Sequence, residues 1–182
     1  MTPAKSGLPL QNRLARVAWK LVDCVFVRFT PRPFHAWRAF VLRRCGAKLG
    51  ARCHIYPGAI IWAPWNLECG DDACIASGAE IYNVARVTIG RRAIISQGAY
   101  LCAATHDYSD ATRAEFPLTS APIHVGDCAW IAARSIVLPG ISIGEGCVIG
   151  AGSVVTKDTP PHTVCAGNPC RVIKSTATGN PE

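Results

Sequence analysis

A six-residue repeat of apolar positions constrains this chain more than any other feature. Fifteen such positions keep the spacing within each block: Leu49, Ile55, Ile61, Cys69, Ile75, Ile81, Ile89, Ile95, Leu101, Val125, Ile131, Val137, Ile143, Ile149 and Val155. A small residue mostly follows four positions later, as at Ala59, Ala79 and Ala99. Neither the 3.6-residue period of a helix nor the alternation of an ordinary strand reproduces this pattern.

Three six-residue units make one triangular coil, with the apolar residue pointing inward and the small residue at the crowded corner. The coils then start at residues 49, 69, 89, 125 and 143. A single coil cannot bury its own apolar row, so the coils must stack, about 4.8 Å apart as neighbouring strands are. The sequence therefore predicts an all-β solenoid of about five triangular coils over residues 49–160.

Residues 1–48 lie outside the repeat and have helical periodicity over Asn12–Phe29 and Phe34–Arg44. We expect this segment to form a helical cap over the open end of the solenoid, where unpaired strand edges would otherwise invite aggregation. The alternative is a helix on a membrane surface, because basic residues flank apolar ones that include Trp19 and Phe26. These basic residues are Arg13, Arg16, Lys20 and Arg28. At the other end, Pro160 and Pro161 end the coils, and we expect a tail over 161–182 to pack back on the prism.

The composition indicates which class of ligand and which cell compartment to expect. A net charge of +7 favours an anionic ligand or surface, but no groove-reading motif predicts a nucleic-acid partner. The ten cysteines are scattered without a C-x-x-C pair, which indicates buried thiols in a reducing cytoplasm. The apolar stretch Leu21–Phe29 is too short to span a bilayer.

The spacing from Leu101 to Val125 exceeds the six-residue repeat by eighteen residues, so residues 102–124 form an inserted, protruding loop. It contains the segment ATHDYSD, in which His106 stands beside Asp107 and Asp110. Long loops on a rigid repeat often carry sites, and histidine suits proton transfer near neutral pH. A covalent mechanism through Cys102, four residues before His106, is the less favoured alternative. A structural or solvated role is expected for the other four histidines: His35, His54, His124 and His162.

The segment from Val125 to Lys174, with its strings GAGSVVTKD and AGNPCRVI, resembles the hexapeptide-repeat O-acetyltransferases of the galactoside, maltose and serine group. The upstream strings ATHDYSD and FPLTSAPIHVGD resemble more narrowly the colanic acid biosynthesis acetyltransferases. The resemblance implies a left-handed parallel β-helix and acetyl-CoA as co-substrate, with no metal. It also implies a homotrimer whose sites lie between subunits.

Carried over by residue, the resemblance implies that His106 is the general base and that the backbone N–H of Ala133 stabilises the oxyanion. The cofactor would lie along Trp130, Ala133, Ala151, Thr156, Lys157 and Arg171, with Lys174 adding to a cationic exit for the phosphates. Asn83 matches an acceptor-side position, and Asp107 is a further candidate for contact with the acceptor. Relatives often have Gly-Gly or Gly-Ser where this chain has Ala132-Ala133, a change that a backbone donor tolerates.

The predicted function is direct acetyl transfer to a sugar hydroxyl, as a free or lipid-linked acceptor, in a colanic-acid-like exopolysaccharide pathway. We expect the enzyme in the cytoplasm, with contact of its N-terminal helix with the inner membrane left open. The alternative is a catalytically silent scaffold beside a membrane polysaccharide assembly complex. A γ-class carbonic anhydrase is rejected, because it would need three zinc-binding histidines.

Overall fold

The structure is a computed structural model that describes residues 10–109 and 116–176. Two helices come first, α1 over Leu10–Phe26 and α2 over His35–Arg44. Short strands then follow in groups of three. The five groups are β1 (Lys48–Leu49), β2 (His54–Ile55), β3 (Ile60–Ile61); β4 (Leu67–Cys69), β5 (Cys74–Ile75), β6 (Glu80–Tyr82); β7 (Val87–Ile89), β8 (Ile94–Ile95), β9 (Tyr100–Cys102); β12 (Ile123–Val125), β13 (Trp130–Ile131), β14 (Ile136–Val137); and β15 (Ser142–Ile143), β16 (Val148–Ile149), β17 (Val154–Val155).

Each group is one coil, and its strands pair in parallel with those of the next coil. The first strands of the coils form face A, the second strands face B and the third strands face C. The insertion between the third and fourth coils supplies a separate antiparallel hairpin, β10 (Ala104–His106) and β11 (Leu118–Ser120). The predicted β-solenoid and the starts of its five coils are therefore confirmed.

The apolar positions and the small corner positions of the repeat form the interior of the solenoid. Of the fifteen apolar positions all but Leu49 are buried, and Ile75, Ile95 and Ile131 stack at 0% exposure in neighbouring coils. Burying one such side chain contributes roughly 1.5–3 kcal/mol, which only a stack of coils makes available. Several cysteines take the small corner positions, as Cys53 and Cys147 do. All ten cysteines are free thiols.

The corner between faces A and B explains why glycine ends each first strand. A Cβ on Gly90 would stand 2.5 Å from the backbone nitrogen of Asp127 in the next coil, closer than a real side chain tolerates. Two residues later the chain turns through a left-handed conformation in every coil. These left-handed positions are Arg52, Asp72, Arg92, Cys128, Gly146 and, beyond the fifth coil, His162.

The solenoid therefore extends past the predicted boundary at residue 160. Thr159 bridges to Ile143 on face A, and strand β18 (Thr163–Ala166) pairs in parallel with β16 on face B. This partial sixth turn brings the fold to about six turns. In the tail, β19 (Arg171–Ser175) pairs antiparallel with β18 and turns back along face B. The last six residues of the expected tail lie outside the described residues.

Both helices contact the first coil. Helix α2 packs against β1 and β2, while α1 is anchored by Trp19, whose indole N–H donates to the Ile61 carbonyl at 2.7 Å. Trp19 is 5% exposed, so it belongs to the core and not to a membrane-facing surface. The apolar side chains that predicted the helix, from Leu14 to Val25, point instead to solvent. Neither helix is long and apolar enough to cross a bilayer.

Candidate active site

The hairpin that carries His106 grows out of the corner between faces C and A. The chain leaves the third coil after β9, and the Ala121 N–H donates to the Ala103 carbonyl at 3.1 Å, which closes the base of the hairpin. Thr105 pairs with Thr119, and the Asp107 N–H donates to the Pro117 carbonyl at 2.8 Å. The histidine is thus held on a paired strand, and residues 110–115 lie outside the described residues.

The imidazole of His106 is exposed, and a hydrogen bond at one of its two nitrogens sets its orientation. Its Nδ1 lies 2.7 Å from the carbonyl oxygen of Phe116. A carbonyl only accepts, so Nδ1 must carry the proton, and Nε2 of the neutral ring keeps its lone pair. This is the tautomer that a general base requires.

The side chains of Asp107 and Cys102 form hydrogen bonds with nearby backbone groups. The Asp107 carboxylate accepts the backbone N–H of Ser109 at 3.0 Å, a local turn that shapes the start of the loop. The Cys102 thiol donates to the Ala104 carbonyl at 3.0 Å. It is directed at the backbone and not at the imidazole, so the described geometry gives no support to a Cys–His nucleophile. The expected neighbour Asp110 lies outside the described residues.

The corner between faces B and C supplies a second set of predicted residues. The Trp130 side chain is 46% exposed, and its indole N–H donates to Ser96 Oγ at 2.8 Å. Ala133 is the second residue of a turn, because the Ser135 N–H donates to the Ala132 carbonyl at 3.3 Å and φ is positive at the third residue. The arrangement directs the Ala133 N–H away from the turn's own hydrogen bond.

No acceptor within residues 10–109 and 116–176 meets the N–H of Ala133. The backbone N–H groups at the equivalent corner position, of Gln97 one coil below and of Ala151 one coil above, are likewise without an acceptor in the described part of the chain. Ala133 and the next corner are stacked through the Gly152 N–H, which donates to the Ala133 carbonyl at 2.9 Å. Trp130, Ala133 and Ala151 therefore lie along one edge of the prism, and the two alanines present backbone donors there.

The cationic candidates lie at the C-terminal end of the prism. Lys157 follows β17 and Arg171 begins β19, and both line a surface cavity of about 250 Å³. Arg171 also donates to the Cys170 carbonyl at 2.9 Å. Thr156 is exposed beside Lys157, and Lys174 is exposed further along β19. The fold thus brings Lys157 and Arg171 together from segments that the sequence separates.

One chain does not bring the base and the oxyanion donor together. His106 emerges at the edge between faces C and A, whereas Ala133 stands at the edge between faces B and C. Face C lies between them, and crossing it takes about six extended residues, or roughly 20 Å. A site that uses both residues must combine edges of two prisms.

Asn83 has a structural role, which the sequence did not predict. Its side chain is 0% exposed; Oδ1 accepts the Ala63 N–H at 2.9 Å, and Nδ2 donates to the Ala63 carbonyl at 2.6 Å. Asn66 adds hydrogen bonds to the carbonyls of Asn83 and Val84. These contacts clamp the longer corners that follow β3 and β6, where the first two coils hold their extra residues. Its burial and these hydrogen bonds account for Asn83 without any acceptor sugar, so the structure gives no support to its predicted place in the acceptor site.

Two contacts of the candidate site were not predicted from the sequence. Phe116 acts through its carbonyl, a group that every residue carries and that no sequence pattern marks. Ser96 holds the Trp130 indole from a strand one coil away, a contact that only the stacking register creates. Among the described residues, no three His, Cys, Asp or Glu side chains lie where they could share a metal ion.

The chain is similar to known acetyltransferases over nearly its whole length. The family model described as bacterial transferase hexapeptide (six repeats) matches residues 122–157, in agreement with a left-handed β-helix. WcaF of Escherichia coli (strain K12), which carries the name of a colanic acid biosynthesis acetyltransferase, is 38% identical over 163 residues. That alignment covers 90% of this chain and 88% of WcaF.

Solved structures agree with this similarity. A galactoside acetyltransferase in complex with coenzyme A has a TM-score of 0.85 and 28% identity, covering 94% of this chain and 85% of its own. A maltose O-acetyltransferase from Clostridium difficile 630 has a TM-score of 0.83 and 30% identity, covering 92% of this chain and 89% of its own. Two neighbours that share this fold are thus named for acetyl transfer to sugars.

Proposed function

Because this chain belongs to the hexapeptide-repeat family of acetyltransferases, we propose that it transfers the acetyl group of acetyl-CoA to a sugar hydroxyl, with His106 as general base. The observation that carries the proposal is the 2.7 Å contact from His106 Nδ1 to the Phe116 carbonyl. It assigns the proton of the neutral ring to Nδ1, so that Nε2 can accept a proton, and the histidine is exposed on a paired strand. The coenzyme A complex of the galactoside acetyltransferase supports the choice of donor.

In the proposed reaction the sugar oxygen attacks the thioester carbonyl while His106 Nε2 accepts the hydroxyl proton. The C–S bond of the tetrahedral intermediate then breaks, and the imidazolium returns the proton to the departing thiolate. The products are an acetyl ester and CoA with its free thiol, so no other reactant is needed. A positioned base of this kind contributes about 10²–10⁴-fold to the rate.

The negative oxygen of the intermediate needs a donor that is already in place. The unpaired N–H of Ala133 supports this role, because its turn holds it outward without any change of side chain. One such donor contributes roughly 3 kcal/mol where water is excluded. The unpaired amide of Ala151 offers a similar contact to the cofactor one coil above.

The proposed site lies between two copies of the chain in a homotrimer. Its support is the separation of His106 and Ala133 on opposite edges of face C, since neighbouring prisms in a three-fold ring set unlike edges against each other. The hairpin of one subunit would then reach the Trp130 edge of the next. Lys157 and Arg171 would meet the phosphates of CoA near the end of the groove.

For the acceptor, we propose a hydroxyl of an exopolysaccharide sugar or of its lipid-linked precursor. The support is the name of WcaF and the sugar specificities in the names of the two solved neighbours. The test is transfer of labelled acetyl groups from acetyl-CoA to a panel of free, nucleotide-linked and lipid-linked sugars. Acetylation of at least one member is expected, and transfer to none of them, with CoA binding absent in calorimetry, would favour the scaffold alternative.

A further inference from the structure

Helix α1 presents an apolar stripe that no part of the described structure covers. The stripe consists of Leu10, Leu14, Val17, Leu21 and Val25, each between 59% and 68% exposed. Their spacing of three and four residues places them within roughly 80° of one another around the helix. A five-residue stripe this open is not the scatter of single exposed side chains that ordinary surfaces show.

The orientation of the stripe is held from the opposite side of the helix. Trp19 lies about half a turn away and is buried, with its indole bonded to the Ile61 carbonyl. The Arg16 guanidinium covers the ring of Trp62 at 3.7 Å from its centroid. Rotating the stripe inward would break both contacts, so the helix is fixed with its apolar side facing away from the prism.

Aromatic side chains continue this apolar surface beyond α1. The Trp37 indole N–H donates to the Phe26 carbonyl at 2.8 Å, which joins α2 to the end of α1. Trp37 and Phe40 lie with ring centroids 5.8 Å apart, and Phe29 between the helices is 79% exposed. Tryptophan and phenylalanine are common where a protein meets the headgroup level of a bilayer.

Positive charge is concentrated in the same segment. Residues 10–48 hold nine Lys or Arg and one Asp, whereas residues 49–176 hold nine Lys or Arg and ten Asp or Glu. The single Asp, Asp23, is already paired with Arg28 at 3.6 Å. Four exposed cations of the cap make no ion pair within the described residues, namely Arg13, Lys20, Arg32 and Arg44. The net charge of the chain therefore belongs to the cap and not to the prism.

We propose that the N-terminal cap docks on an anionic lipid bilayer, with the stripe among the acyl chains and the cations on the headgroup phosphates. Charge complementarity selects this occupant, because each cation near an anionic surface adds on the order of fivefold in affinity. A second cap is a poor partner, since it would set two segments with nine Lys or Arg and one Asp each against one another. Docking would hold the enzyme at the surface where a lipid-anchored acceptor is presented.

Sedimentation of the full chain with vesicles tests the proposal without measuring acetyl transfer, so its failure is independent of the proposed function. Wild type is expected to bind mixed phosphatidylcholine–phosphatidylglycerol vesicles and to bind phosphatidylcholine vesicles at least tenfold more weakly. Leu14→Gln with Leu21→Gln should lower binding to the anionic vesicles at least tenfold. Both positions are exposed, and Gln keeps the helix propensity, so the fold should persist.

Arg13→Gln with Lys20→Gln removes two cations and should lower the affinity on the order of 25-fold and reduce its dependence on salt. Ile60→Gln and Arg92→Gln remove one exposed apolar and one exposed charged side chain outside the cap, and both should bind like wild type. Failure of wild type to bind anionic vesicles would overturn the proposal. It would equally be overturned if the stripe variant bound vesicles normally but formed a smaller oligomer in light scattering, which would assign the stripe to a second copy.

Discussion

At the scale of single residues, the proposed chemistry depends on two backbone groups. The Phe116 carbonyl selects the tautomer of His106, and the Ala133 N–H points outward because of its place in a turn. Neither effect depends on a side chain that a sequence motif could mark. Substitutions that leave the backbone in place therefore separate the two roles.

His106→Ala should lower kcat by at least about a hundredfold while leaving CoA affinity nearly unchanged, because it removes the proton acceptor and no cofactor contact. Steady-state kinetics and calorimetric titration with CoA measure the two quantities. His124→Ala is the matched control, since His124 is also exposed but lies on face A without a proposed role. A His106→Ala enzyme as active as its control would remove this residue from the mechanism.

Ala133→Pro should lower kcat by about 10²–10³-fold and leave the fold intact. The second position of this turn type suits proline, so the substitution deletes the N–H without straining the backbone. Gln97→Pro makes the same change at the equivalent corner one coil below and should keep full activity. If both proline variants lost activity to the same extent, corner rigidity and not the oxyanion donor would explain the loss.

At the scale of secondary-structure elements, the corners decide how the coils stack. The first two coils are longer than eighteen residues, and their extra residues lie at the corner after the third strand. Asn83, at this corner of the second coil, forms hydrogen bonds with Ala63 at the same corner of the first coil. The hairpin β10–β11 uses the same edge of the prism one coil higher, which places the histidine beside the third coil. A shift of the lower corners would thus displace the base of the hairpin that carries His106.

Asn83→Ala should destabilise the protein by about 1–3 kcal/mol, because it leaves the buried N–H of Ala63 without a partner, while the Ala63 carbonyl keeps only its hydrogen bond from the Asn66 N–H at 3.0 Å. Denaturant unfolding measures the loss, and Gln97→Ala, which removes an exposed amide, is expected to be nearly neutral. The KM for the acceptor should stay unchanged in Asn83→Ala at temperatures where it is folded. A large rise in that KM with unchanged stability would instead restore an acceptor contact for Asn83.

At the scale of the whole molecule, the proposed catalytic parts stand on different edges of the prism, so the active unit would be larger than one chain. A trimer would set three such sites between its subunits, each with a base from one chain and an oxyanion donor from another. Such a trimer would also carry three cationic caps, and all three could bind the same lipid surface. Such multivalency strengthens weak single contacts.

Mixed oligomers test the division of the site between chains. His106→Ala and Ala133→Pro should each be inactive alone, but after unfolding and refolding together about one interface in four combines an intact base with an intact donor. Activity near a quarter of wild type is therefore expected in an equal mixture, and light scattering should give the mass of a trimer. No recovery in mixtures whose subunits demonstrably exchange would place base and donor in the same chain.

The amino-acid sequence determined the coils of this protein, because a six-residue apolar period and small corner residues have one stacked solution and each coil contacts only its neighbours. It also determined which loop carries the histidine, since the surplus of residues between Leu101 and Val125 has to leave the repeat. Only the tertiary structure decided the tautomer of His106, the burial of Asn83 and the direction of the apolar stripe on α1. Each of these depends on a backbone group or a surface brought close by stacking, and residue types along the chain do not specify such contacts.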